Sequence, residues 1–332
     1  MTGAGGFIGG HMVRNLLDSG HSVTGVDIKP LHEWWQRFDI HNIVADLRDP
    51  AAGRELSRNI DVIYHFAADM GGISYISEND WDCASSVAMT VNLLRAATER
   101  DVRSFVYASS ACVYPATLQG SDPSPLREEL AHPGDPEGGY GWEKLFSERL
   151  CRYAARAGGP GVRIARLFNV YGPHGTWRGG REKAPAAICR KVAEVALGKS
   201  DQVVVWGTGT QLRSFLYIDD CVRGLAALAR AGDARPTNLA SDELVTVAEL
   251  TALTAAVAGV EVSLRYDPAQ PTGVRARIPD ISCAAQRLDW HPAFSLLEGI
   301  RLTYRWICGQ LGGERAPRTH DRFSQGETEK IT

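Results

Sequence analysis

Three glycines at three-residue intervals, Gly3, Gly6 and Gly9, open the chain and limit its fold more than any other feature. In Gly3-Ala-Gly-Gly6-Phe7-Ile8-Gly9 the backbone can turn tightly and bring its N–H groups close to a bound anion, because no Cβ stands in the way. The helical spacing of Val13, Leu16 and Leu17 follows directly. The turn therefore feeds a helix whose N-terminus favours negative charge. A turn of this kind normally follows a buried strand of about five or six residues. Only Met1 and Thr2 precede Gly3, so several apolar residues are expected to be missing from the start.

Val23-Thr-Gly-Val-Asp27 reads as an apolar strand ending in an acid. An acid about twenty residues after such a turn accepts hydrogen bonds from adenosine ribose hydroxyls and repels a 2′-phosphate. NAD is therefore the expected cofactor, with Lys29 slightly weakening the exclusion of NADP. Asp46, in Val44-Ala-Asp46-Leu47, stands where the next strand end meets the adenine amino group.

Further apolar strands are read at 62–66, 105–108 and 162–168, with amphipathic helices near 10–19, 83–100 and 140–157. Strands alternating with helices predict an α/β fold, a doubly wound parallel Rossmann-type sheet. After Asn169 come a Gly- and Arg-rich loop (172–183), a helix from Ala184 to Leu197 with Pro185 in its first turn, and a strand at Val203–Trp206. Helices follow at Leu225–Ala231 and Val247–Ala258. Residues 1–170 and about 208–240 are assigned to the dinucleotide domain, and about 171–207 and 241–311 to a smaller interleaved C-terminal lobe. Residues 312–332 are polar and aperiodic, the pattern of a flexible tail.

Net charge is −3 and the pI about 6.3, which gives no electrostatic case for nucleic acid or a membrane as partner. The seven cysteines are scattered, odd in number and lack CxxC spacing, so neither a disulfide frame nor a zinc site is expected. No leader pattern or long apolar run is visible, and the cytoplasm is the expected location.

Tyr140 and Lys144 stand at i,i+4 and share a helix face. A phenol is a poor base at neutral pH, and an adjacent ammonium should stabilise its phenolate. Ser110, ending Phe105-Val-Tyr-Ala-Ser-Ser110, can hydrogen-bond the same substrate hydroxyl. This set oxidises a hydroxyl onto a nicotinamide. Cys112 lies two residues beyond Ser110, and a thiol there can move protons on carbons next to the new ketone. A strand-end cysteine is also, quite often, only a small buried apolar residue. Arg178, Arg181, Lys183, Arg190 and Lys191 read either as solvated charges or as a basic wall for a diphosphate, with Gly179-Gly180 bending the loop around it. Trp177 and Trp206 read as packing residues.

These motifs together resemble the extended short-chain dehydrogenase/reductase family. The match runs through GxxGxxG, His65-Phe-Ala67-Ala68, the Ser-Ser strand end, YxxxK, Asn169-Val-Tyr-Gly-Pro173 and Gln211-Leu-Arg213-Ser-Phe, covering nearly all of residues 1–312. The resemblance implies Tyr140 as acid/base, Lys144 as its tuning partner, Ala67 at the cofactor and a structural His65. The carboxylate typical of the family's dehydratases is absent from Ala111-Cys112. Cys112-Val-Tyr-Pro115, Ala68-Asp-Met70-Gly71-Gly72 and Gly175-Thr-Trp-Arg-Gly-Gly-Arg-Glu182-Lys183-Ala-Pro185 resemble the GDP-mannose 3,5-epimerase branch.

That likeness implies Cys112 and Lys183 as an acid/base pair acting after transient C4 oxidation by Tyr140/Lys144. It also implies Met70, Gly71, Ser110, Asn169, Glu182, Lys183, Lys191, Gln211 and Arg213 as contacts to GDP-mannose, with Arg275 and Arg277 near the diphosphate, and a homodimer formed through the helices near 83–100 and 140–157. Ser86 departs from the branch, which usually has Asn there. Another nucleotide-sugar 4-epimerase, or a non-catalytic relative that binds NAD and a sugar nucleotide, are the alternative readings.

Overall fold

The computed structural model describes residues 1–120 and 122–312, so all of the tail but Gly312 lies outside the described residues. Helix α1 (Phe7–Asp18) follows the glycine turn, and strands β1 (Thr24–Asp27) and β2 (His41–Val44) pair in parallel. Helix α2 (Pro50–Leu56) leads to β3 (Val62–His65). Helix α3 (Ile73–Glu78) follows, and the single helix expected near 83–100 is two pieces, the end of α4 (Asp80–Ser85) and α5 (Val87–Glu99). The break falls at Ser86, whose Oγ accepts a hydrogen bond from the Asp69 N–H at 2.9 Å, tying the junction to the chain that leaves β3.

Strand β4 (Ser104–Ser110), helix α6 (Gly138–Arg156) and strand β5 (Gly161–Leu167) continue the alternation. Strand β4 lies between β3 and β5 in parallel register. Its near-continuous burial is what a strand covered on both faces requires. Thr2 bridges Val26 of β1 and His65 of β3, so a two-residue stub joins the two halves of the sheet. The Thr2 Oγ1 accepts from the Phe66 and Ala67 N–H groups at 3.2 and 3.3 Å, which leaves its proton for His65 Nδ1 at 2.9 Å. His65 Nε2 is then the donor to Thr90 Oγ1 of α5 at 3.1 Å.

Beyond β5, β6 (Val170–Tyr171) precedes α7 (Ala184–Ala196) and β7 (Gln202–Trp206); β8 (Leu212–Ser214) and β9 (Leu216–Tyr217) follow. Helix α8 spans Ile218–Ala229, starting seven residues before the expected Leu225 because Asp219 and Asp220 occupy its first turn, where acids favour a helix. Strand β10 (Thr237–Leu239) returns to the main sheet beside β5. Strand β11 (Leu244–Thr246) pairs antiparallel with β8, and β12 (Ser263–Asp267) pairs parallel with β7. Helix α9 (Val247–Ala258) begins with a Thr246/Glu249 capping box and ends at left-handed Gly259. Helices α10 (Ser282–Leu288) and α11 (Leu296–Gly312) complete the described chain.

One core cluster, including Val26, Leu93, Phe105 and Ile164, fills the space between the sheet and helices α2, α5 and α6. A larger one runs from Val106 and Leu167 through α8 to the α7, α9 and α11 layer, with Ile188, Val192, Leu250 and Ile300 among its members. No helix among the described residues is long and apolar enough to cross a membrane.

Candidate active site

The glycine turn is conformationally obligatory. Gly3 has φ +71°, and a Cβ on Gly9 would stand 2.0 Å from the Gly3 carbonyl oxygen. No side chain caps α1. Its N-terminus opens on a cavity of about 540 Å³, lined by Gly3, Gly6, Phe7, Ile8, Gly9, Asp27, Asp46, Ala67, Ser110, Tyr140 and Lys144. Every residue assigned to the cofactor therefore faces one space.

Asp27 is held in place by the Gly5 N–H on one carboxylate oxygen (3.0 Å) and the Lys29 N–H on the other (3.1 Å). Each oxygen keeps further lone pairs for a ribose diol. Asp46 is gripped by Arg48 at 3.0 Å from Nε and 2.6 Å from Nη2, which lowers its carboxyl pKa. The curled backbone, the anion-favouring helix end and the held acid fit a dinucleotide. NAD is the cofactor of this chain.

A second cavity, about 400 Å³, shares Met70, Ser110, Tyr140 and Lys183 with the first. It is also lined by Gly71, Cys112, Asn169, Glu182, Lys191, Gln211, Arg213 and Arg277. Arg275 is the exception. Its side chain is exposed and away from the cavity, and only its carbonyl takes part, accepting from the Leu212 N–H at 3.0 Å. Val274, Ala276 and Arg277 are buried and Arg275 is exposed, so this irregular segment breaks strict alternation at Arg277, which turns inward.

Helix α6 places Tyr140 and Lys144 at the junction of the cavities. It packs so closely on the Cys112 turn that a Cβ at Gly141 would lie 2.5 Å from the Cys112 carbonyl oxygen. Lys144 Nζ lies 3.3 Å from Tyr107 Oη, 3.4 Å from Glu143 and 5.7 Å from the Tyr140 ring centre. Burial pushes the Tyr140 hydroxyl well above the usual phenol range, reinforced by Cys112 and Glu143, while Ser110 pulls the other way. The Lys144 ammonium is shared with the buried Glu143 carboxylate, 3.4 Å away.

Lys183, at the N-cap of α7, has its ammonium pKa lowered by desolvation, partly offset by Cys112. Its loop is anchored by neighbours that the sequence reading did not single out. Arg181 Nη1 donates to Asp69 at 2.9 Å, and its guanidinium lies 3.7 Å from the Tyr75 ring centre. Glu182 is held by the Gly180 N–H at 2.7 Å and by Arg190 at 3.3 Å, shaping the bend. Lys191 Nζ donates to the Val204 carbonyl at 2.7 Å and stands near Trp206, which lines the cavity, whereas Trp177 is buried packing. Asn169 holds φ +37° and donates to the Ser214 carbonyl at 2.9 Å. Gln211 Oε1 is buried without a protein partner. Arg213 has its pKa drawn down to about 10 by burial and by Arg277.

Tyr107, Glu143 and Asp69 went unread because a strand tyrosine looks like core, and a helix Glu or loop Asp looks solvated. The adjacency of Glu143 to Lys144, and of Asp69 to Met70, was the available signal.

A model of the NAD dependent epimerase/dehydratase family matches residues 1–240. GDP-mannose 3,5-epimerase 1 of Oryza sativa subsp. indica is 38% identical over 317 residues, 95% of this chain and 82% of the relative. UDP-glucose 4-epimerase of Thermotoga maritima, solved with UDP-glucose, superposes at TM-score 0.84 with 24% identity, covering 93% and 98% of the two chains, a likeness of fold. UDP-glucuronic acid 4-epimerase of Bacillus cereus, solved with UDP-glucuronic acid and NAD, gives TM-score 0.79 and 26% identity, covering 93% and 98%.

Proposed function

The chain belongs to the NAD dependent epimerase/dehydratase family, and from that premise we propose that it is an isomerase, a GDP-mannose 3,5-epimerase. Its products are GDP-L-galactose, GDP-L-gulose or both. The observation that carries this reading is the meeting of Cys112, Lys183 and Tyr140 on one cavity at its junction with the cofactor space. The GDP-mannose 3,5-epimerase of rice, 38% identical, supports the choice of substrate.

NAD, held by the glycine turn and Asp27, would supply reversible hydride acceptance for the sugar C4 with no net consumption. Ser110 and Tyr140 hydrogen-bond the C4 hydroxyl, and Tyr140 takes its proton as the phenolate, which Lys144 and the positive nicotinamide ring would stabilise against the burial that raises its pKa. The C4 ketone acidifies the hydrogens on C3 and C5. Cys112 and Lys183 then remove and return protons from opposite faces of the ring, which inversion at carbon requires. The lowered Lys183 pKa leaves more of its amine neutral and able to accept a proton. Tyr140 finally returns a proton to the C4 oxygen. Arg277 holds the diphosphate, and Met70, Gly71, Asn169, Glu182, Lys191, Gln211 and Arg213 are further contacts to the sugar nucleotide. Residues 1–170 with about 208–240 form the NAD part of this scheme, and about 171–207 with 241–311 the sugar-nucleotide part.

The enzyme acts as a homodimer through α4 and α6, where Trp81, Trp142, Phe146 and Tyr153 are exposed. Its free cysteines fit a reducing cytoplasm.

Proton NMR of GDP-α-D-mannose with the enzyme and NAD in deuterium oxide tests the proposal. Deuterium at C5, with or without C3, supports it. C4 inversion of a UDP- or dTDP-sugar without deuterium incorporation replaces it with a 4-epimerase, and neither inversion nor exchange with any sugar nucleotide despite bound NAD replaces it with a binding protein.

A further inference from the structure

Gln119 lies outside both cavities and is 1% exposed, yet its amide joins two segments that meet at Cys112. Its Nε2 donates to the carbonyls of Tyr114 and Pro115, both at 3.2 Å, in the turn that carries Cys112. Its Oε1 accepts from Arg277 Nε at 2.6 Å. Its own carbonyl accepts from the Ala276 N–H at 3.1 Å. Arg277, fixed along one edge in this way, turns Nη1 toward Cys112 Sγ at 3.5 Å.

A guanidinium is always charged and its fork is rigid, so holding Nε sets where the remaining N–H groups point. Without the Gln119 oxygen, a buried Arg277 would have no reason to keep an N–H on the sulfur. It would instead follow whatever anion occupied the cavity.

We propose that Gln119 is a positioning residue, holding the Arg277 cation against Cys112 so that the thiol gives up its proton more readily. The role of that proton rests on the epimerase reading; the geometry of the pair does not. Other groups facing Cys112 are Tyr140 from α6, Lys183 at the start of α7 and Arg213 from β8, with Glu137 on the same cavity wall. These groups face Cys112 whether or not Gln119 is present. Gln119 therefore governs an increment, and the increment is what the test reads.

The holoenzyme is prepared with Cys283→Ser, because Cys112 and Cys283 are the two part-exposed thiols. The pH dependence of Cys112 alkylation by iodoacetamide then gives its thiol pKa. Gln119→Leu and Gln119→Met are expected to raise it by about one unit, the lower end of what one opposite charge at this range does to an acid. In an Arg277→Leu background the same substitutions are expected to add nothing. An unchanged pKa in a folded Gln119 variant overturns the proposal, and so does an upward shift that persists without Arg277.

Should the bulky apolar variants not fold, Gln119→Ala carries the test. It removes the acceptor with a smaller side chain, so the pKa must again rise, and a constant value overturns the proposal. A thiol that responds as described in an enzyme that exchanges no sugar proton would leave the positioning role standing and remove the epimerase reading.

Discussion

In the proposed reaction Cys112 and Lys183 divide one task, and their removal should separate redox from proton transfer. Cys112→Ala is expected to abolish deuterium incorporation at C5 and C3, while GDP-mannose still reduces the bound NAD, read as a rise in reduced-nicotinamide absorbance. Exchange at the wild-type rate would remove the thiol from the mechanism. Tyr140→Phe should instead lower turnover by about 10²–10⁴-fold and suppress both signals, because the first step loses its proton acceptor. Asp27 carries cofactor choice. Asp27→Asn should narrow the preference for NAD over NADP, read as the ratio of dissociation constants, since the anion that repels a 2′-phosphate is gone. An unchanged ratio would assign the preference elsewhere, for instance to the space around Ile28 and Lys29. Cys112, Tyr140 and Lys144 were legible because their chemistry depends on short spacings along one strand end and one helix face. The high Tyr140 pKa was not, since desolvation depends on what covers the hydroxyl.

Between elements, buried polar pairs hold the site's scaffold. Glu148 of α6 and Arg166 of β5 are 2% and 1% exposed and meet through two hydrogen bonds, 2.9 and 2.8 Å. Arg166 also donates to the Glu128 carbonyl at 2.6 Å, and Ser109 donates to Glu148 at 2.6 Å. Glu148→Ala would leave a buried guanidinium without its anion, a loss of about 3–5 kcal/mol. Against a total of roughly 5–15 kcal/mol for a typical domain, denaturant unfolding should show it plainly. A second joint is His65 between the Thr2 stub and α5. Burial, Lys144 and the N-terminus hold its pKa down to about 3, against 6.5 when free. The unfolded chain therefore binds the extra proton first. This contribution to stability is complete above pH 6.5 and declines as pH falls from there toward 3. Melting temperature should track that window, and a folded His65→Gln variant should show a flatter profile. The helix 83–100 was read as unbroken because its apolar spacing continues through Ser86. The break there answers to the Asp69 N–H, which sequence periodicity does not contain.

At the scale of the molecule, α4 and α6 leave Trp81 83% exposed, with Trp142 and Phe146 one turn apart on α6 and Tyr153 two turns further along the same face. A second copy covering that stripe is the homodimer proposed above. Trp81→Asp with Phe146→Asp should yield a monomer by light scattering, while a monomeric unmodified protein at micromolar concentration would sink the idea. The sequence by itself determined the α/β class, the NAD turn with Asp27, and the Tyr140/Lys144 and Cys112 positions, because each is written in periods and spacings of a few residues. Tertiary structure alone decided that Arg277 rather than Arg275 enters the cavity, that Arg181 anchors on Asp69, and that Gln119 holds Arg277 against Cys112. Those partners lie 112, 158 and 165 positions apart. Local pattern fixes which residues share a strand or helix face. Which faces meet depends on how the sheet and the C-terminal helices pack together, and that is a property of the whole chain.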